Sequence, residues 1–114
     1  MEDCIFCKIV NREIGTPLLY EDEEVVAFRD INPVAPDHIL IIPRKHIRSV
    51  ADSTEEEELI MGKLFGAARK IAKAQGFQEN GFRLVVNTGA DGGQTVFHLH
   101  MHLLAGRALG WPPG

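Results

Sequence analysis

Apolar residues follow two different periods along this chain. Ile60, Leu64, Ala67, Ala68, Ile71 and Ala72 recur at helical spacing and form one stripe of an amphipathic helix. Ser53 and Glu56 have the spacing of a capping box ahead of it. Residues 55–58 are all Glu near its start, and Arg69, Lys70 and Lys73 lie in its later turns, so both ends complement the helix dipole. Gly76 closes it as a C′ residue. A short helical turn is predicted over residues 4–10, capped by Asp3.

The remaining apolar runs are short. Leu18-Leu19-Tyr20 and residues 25–28 flank an acidic stretch and predict a hairpin. Pro33 and Pro36 mark a loop. Residues 38–42 are nearly continuous in apolar character and end at Pro43, which predicts a central strand covered on both faces. Residues 81–87 and 98–104 add two more strands. The expected fold is α+β, a mostly antiparallel five-stranded sheet with one long and one short helix. With 114 residues the chain reads as a single domain, 1–114, ending in a tail over 105–114 whose prolines cannot join a sheet interior.

Composition narrows the function classes. Hydrophobic residues at 45% and charged residues at 25% are those of a globular domain, and 2 Cys exclude a disulfide scaffold. The 12 Lys+Arg against 16 Asp+Glu leave a net charge of −4, which argues against nucleic acid as a partner. No apolar run approaches the ~18 residues of a membrane span. Met1-Glu2-Asp3-Cys4 is acidic where a secretory signal would be basic, so a soluble, cytoplasmic protein is expected.

The chemistry concentrates at His98, His100 and His102, three of the five histidines. Alternation along a strand puts them on one face and Leu99, Met101 and Leu103 on the other, against the core. Three readings compete for that face. It is a solvated surface, a zinc chelate with an open position for water, or a neutral imidazole nucleophile whose neighbours hold an anionic substrate. The preceding segment, residues 87–95, is glycine-rich and carries Asn87, Gln94 and Thr95. Glycines let main-chain N–H groups approach an anion, which favours phosphate over a metal.

His98-Leu99-His100-Met101-His102-Leu103-Leu104 matches in full the His-φ-His-φ-His-φ-φ signature of the histidine triad (HIT) family, which the chain resembles over nearly its whole length. The blocks Cys4-Ile5-Phe6-Cys7-Lys8-Ile9, Ala27-Phe28-Arg29-Asp30-Ile31, Gly92-Gly93-Gln94-Thr95-Val96-Phe97-His98 and Trp111-Pro112-Pro113-Gly114 are similar to the Hint branch. The resemblance implies a HIT-like fold, a homodimer, binding of purine nucleotides such as AMP or GMP, and hydrolysis of nucleoside 5′-monophosphoramidates through a nucleotidyl-histidine intermediate. It implies that His100 is the nucleophile and His38 its supporting histidine. His102, Asn87, Gly93, Gln94 and Thr95 fall where the family contacts the phosphate or leaving group. Asp30 resembles a ribose clamp, and Ile5, Phe6, Phe28 and Ile31 resemble the base slot. Each has a plainer alternative: Asp30 as a turn residue, Phe28 as core, His38 as a strand opener paired to backbone.

Cys4 and Cys7, with His46 and His98, complete a Cys2His2 set suited to Zn2+. Some HIT proteins with this CxxC carry a structural zinc and relatives without it fold unaided. The alternative is two small residues packing a short helix. A zinc here is expected to be structural and remote from turnover, with none required for the chemistry. Two other function classes stay open, a non-catalytic nucleotide-binding module and a metal-binding protein with the triad as ligands. Trp111 on its stiff tail is expected near the leaving-group side of the other subunit's site.

Overall fold

The computed structural model describes residues 3–114, so Met1 and Glu2 lie outside the described residues. A short helix α1 (Ile5–Val10) leads into the hairpin β1 (Tyr20–Glu21) and β2 (Val25–Arg29). Strand β3 (Asp37–Pro43) follows, then a 3-10 turn (Glu55–Glu57), the long helix α2 (Glu58–Gln75), and strands β4 (Arg83–Val85) and β5 (Met101–Ala105). The strands form one antiparallel sheet in the order β1-β2-β3-β5-β4. Its central strand β3 is buried at every position but the first, as a run apolar on both faces requires.

Strand parity divides the core. Val25, Ala27, Ile39, Ile41, Met101, Leu103 and Ala105 face α2, which lays Leu64, Ala67, Ala68 and Ile71 against them. Val26, Phe28, Leu40 and Ile42 face the other way and are covered by Phe6 and Ile9 of α1. The sheet is thus sandwiched between a long helix and a short one. Among the described residues no helix is long and apolar enough to cross a membrane.

Local details shift by small steps from the sequence reading. Cys4, not Asp3, caps α1, its sulfur accepting from the Cys7 N–H at 3.4 Å. The capping pair before α2 is Thr54 and Glu57, where the Glu57 carboxylate accepts from the Thr54 N–H at 2.8 Å. Ser53 is unavailable because its hydroxyl closes the preceding turn on the Val50 carbonyl at 2.6 Å. Gly76 ends α2 at φ 79, as a left-handed C-cap.

Strand β5 begins at Met101, so His98 and His100 precede the ladder instead of lying within it. The register pairs Ile41 with Met101. Two residues further, Pro43 would stand opposite Leu99, but its carbonyl is taken by His98 Nε2 at 2.9 Å. The Leu99 N–H turns instead to the Ile47 carbonyl at 2.6 Å. Strand β4 is likewise shorter than residues 81–87. Carrying its register on from Val85↔His102 sets Asn87 level with His100.

Candidate active site

His38, Leu40 and Ile42 share a sheet face with His102, since Leu40 is its direct partner across the ladder. That parity brings the two histidines together, and backbone groups then decide where each proton sits. The Val34 N–H donates to His38 Nδ1 at 3.1 Å, so the proton of this ring lies on Nε2. It is donated to His102 Nδ1 at 2.8 Å. The proton of His102 is thereby placed on Nε2, the single buried side-chain polar atom without a partner among the described residues. An unpaired buried donor is costly, and a ligand oxygen is one partner that would satisfy it. Burial, then the nearby His100 and His38, push the His102 imidazole down to about 4. Burial also lowers His38, with Asp30 acting in the opposite direction. Both rings are neutral at pH 7.

His100 has the opposite polarity. Its Nδ1 lies 2.8 Å from the His98 carbonyl, which can only accept, so Nδ1 is the protonated nitrogen and Nε2 carries a free lone pair. Its ring meets that of His102 with centroids 5.0 Å apart and stands edge-on to Phe6 at 5.2 Å. A lone pair and an orphan donor therefore sit side by side, one fit to attack an electrophile and the other to hold an oxygen of the same group.

His98 departs from the picture of three imidazoles lining an opening. It is fully buried, its Nε2 donates to the Pro43 carbonyl at 2.9 Å, and its Nδ1 lone pair faces Cys4 Sγ at 3.4 Å and Cys7 Sγ at 3.6 Å. His46 Nδ1 lies 3.3 Å from Cys7 Sγ. The four ligand atoms lie within 4.8 Å of one another. Tetrahedral zinc sets neighbouring sulfur and nitrogen ligands about 3.5 Å apart, and the separations here suit that geometry. The Pro43 contact adds the outer partner that fixes a ligating imidazole. Burial, followed by the Cys4 thiol, pushes the Cys7 thiol up to about 11, a penalty that a bound cation reverses. The donor set thus fits a metal. It is not remote from the rest, because His98 contributes its carbonyl to His100.

The chain matches the HIT domain family over residues 11–109. It belongs to the histidine triad family. It is 51% identical to the purine nucleoside phosphoramidase of Escherichia coli K12 over 109 residues, 96% of this chain and 92% of that one. A HIT family hydrolase from Legionella pneumophila superposes with a TM-score of 0.95 at 46% identity, covering 98% of this chain and 100% of that one. A histidine triad protein from Clostridium difficile gives 0.94 at 51% identity over 96% of each chain.

Within this family fold the glycine-rich loop is a framework as much as a donor surface. Gly93 N–H bonds Ala90 O and Gln94 N–H bonds Gly89 O, both at 3.0 Å. The Gln94 side chain accepts from Gly89 N–H and donates to the Arg48 and Val96 carbonyls. These expected donors of Gly93 and Gln94 are therefore spent within the loop and on the Arg48 and Val96 carbonyls that anchor it, because a buried amide must be satisfied somewhere. Thr95 is exposed at the end of the loop.

The base-slot residues are not gathered into one open cleft. Phe6 and Phe28 are buried and pack edge-on at 5.6 Å, as core, whereas Ile31 is 91% exposed. A cavity of about 420 Å3 opens beside Asp30 and Ile31 and is lined also by Thr16, Pro17, Leu18 and Leu19. Those four carried no chemical signal in the sequence; Leu18-Leu19 reads only as the approach to a strand. Asp30 takes the turn reading and also approaches His38. Its Oδ1 accepts from the Asn32 N–H at 2.8 Å, closing a turn, and its Oδ2 lies 3.5 Å from His38 Nε2.

Proposed function

We propose that the protein hydrolyses purine nucleoside phosphoramidates through a covalent nucleotidyl-histidine intermediate. The observation that carries this reading is the paired polarity of His100 and His102, a free Nε2 lone pair beside an unpartnered Nε2–H. His100 Nε2 attacks phosphorus, the P–N bond breaks, and the nitrogen takes up a proton from solvent to depart as the neutral amine. Water then cleaves the histidine–phosphorus bond and releases the nucleoside monophosphate. A neutral imidazole needs no separate base for the attack. His102 donates to the phosphoryl oxygen on which charge builds, with Asn87 and the Thr95 hydroxyl beside it. Gly93 and Gln94 shape the loop around that group, and His38 holds His102 in its tautomer. Asp30 and Ile31 border the cavity for ribose and base, with Leu18 and Leu19 as its apolar wall, while Phe6 and Phe28 stay in the core behind the site. AMP and GMP are the expected products, and the cytoplasm is where we place the reaction.

The 51% identity to an E. coli protein named for this activity supports the reading. Mass spectrometry after mixing the protein with adenosine 5′-phosphoramidate tests it. An adduct of one nucleotidyl group on His100 is expected, and a substrate hydrolysed with no adduct there in wild type or in His102→Gln overturns it.

We infer further that Zn2+ binds at Cys4, Cys7, His46 and His98, where it supplies a structural cross-link, and that the chain works as a homodimer. Two features support the dimer. Helix α2 exposes Leu59 at 72% and Phe65 at 58%, beside Gly62 and Gly66, around which a side chain would meet nothing within 4 Å. Helix-interior glycines cost roughly 1 kcal/mol each, a cost that close approach of a second helix would offset. Strand β4 is a half-buried edge of the sheet, open to pairing with a second copy. Trp111, 82% exposed on a tail tied down by Arg83 to the Gly110 carbonyl, would then reach the other subunit's site.

A further inference from the structure

His98 belongs to two structures at once. Its ring closes the Cys4–Cys7–His46 cluster, while its carbonyl accepts the Nδ1 proton of His100 at 2.8 Å. The peptide unit that follows it is held at both ends. On one side stands that carbonyl, and on the other the Leu99 N–H, which donates at 2.6 Å to the carbonyl of Ile47, the neighbour of His46. Phe6, between Cys4 and Cys7 on α1, packs edge-on against both His98 at 5.8 Å and His100 at 5.2 Å. Every segment that carries a ligand atom of the cluster therefore also touches the His98–Leu99 peptide or the ring of His100.

We propose that a metal ion in this centre positions the nucleophile, through the His98–Leu99 peptide and Phe6. The inference rests on reading the cluster as a metal site. With an ion on Nδ1 and the Pro43 carbonyl on Nε2, the His98 ring is fixed at both nitrogens, and its backbone carbonyl holds His100 Nε2 toward the phosphorus. Without the ion, two neutral thiols offer only weak hydrogen bonds in its place, and the ring, its carbonyl and His100 gain freedom together. A cavity of about 400 Å3 lined by Cys4, His46, Arg48 and Thr95 borders the cluster and gives an ion a route without unfolding. His98 and Phe6 are thus positioning residues.

The test compares zinc-loaded and chelator-stripped protein by metal content, by long-range proton–nitrogen NMR of the histidine rings without substrate, and by kcat and KM on adenosine 5′-phosphoramidate. Loss of zinc should broaden the His100 Nδ1–H signal and lower kcat roughly 10- to 100-fold, with KM nearly unchanged, and added zinc should restore both. If stripping unfolds the chain, His46→Ala, which removes a ligand that does not touch His100, decides by the same two readouts. One zinc per chain that raises the melting temperature but leaves the His100 signal and kcat unchanged overturns the proposal and spares the metal site. No zinc uptake overturns both.

Discussion

Replacing His102 by Gln separates the proton held by the His38–His102 pair from the hydrogen bonds it makes. The Gln carbonyl can accept from His38 Nε2–H and its amide can donate outward, so the relay survives while the titrating ring is gone. In the folded wild type the His102 imidazole sits at about 4, whereas an unfolded histidine titrates at about 6.5. Between those values the unfolded chain binds a proton that the native one refuses, so native stability falls as pH drops from 6.5 toward 4 and changes no further below. The full gap corresponds to ~3 kcal/mol. The ring is partly exposed, so solvent reduces this to about 2 kcal/mol. At a typical urea slope that is a midpoint difference of about 1 M. Urea titrations of wild type and His102→Gln at pH 7.5, 5.5 and 4.5 measure it, and the difference between the two cancels the acid sensitivity of His46 and His98. The gap should be small at the highest pH and should open in favour of His102→Gln at the lowest. Parallel pH profiles would refute the reasoning, because the ring would then not be held neutral by its surroundings.

Three further outcomes follow from the same geometry. Gly92→Ala puts a Cβ 2.5 Å from the Thr88 carbonyl oxygen, so the glycine-rich loop must move; turnover should fall roughly 10- to 100-fold with little change in melting temperature, read by steady-state kinetics and calorimetry. Leu103→Ala empties a fully buried position between the sheet and α2 and should cost about 2–5 kcal/mol in urea unfolding. Deleting residues 110–114 should alter the ranking of substrates that differ in the departing amine and leave AMP affinity unaltered; an unchanged ranking would make the exposed Trp111 tail a packing device only.

Much of this fold was legible from patterning. The stripe from Ile60 to Ala72 predicted α2 and the face it buries, and the unbroken run after Asp37 predicted a strand covered on both sides. Alternation alone put Leu99, Met101 and Leu103 into the core, all of them buried. These features are local, since a period or a hydrophobic run is decided by neighbours in the chain. The triad motif likewise marked where His100 and His102 meet. Other features depended on residues far apart in sequence. The tautomers of His38 and His102 follow from a bond spanning 64 residues and from the Val34 N–H. His98 closes on the two thiols and on the Pro43 carbonyl, 55 residues away, just beyond the end of the ladder. Gln94 is spent on the Arg48 carbonyl, 46 residues away. Hydrogen bonds satisfy whichever partner the packed chain brings near, and no pattern along the sequence encodes that partner. The sequence by itself determined that the histidines cluster around one strand; only the tertiary structure, by bringing distant backbone groups against each ring, decided which of its nitrogens is free.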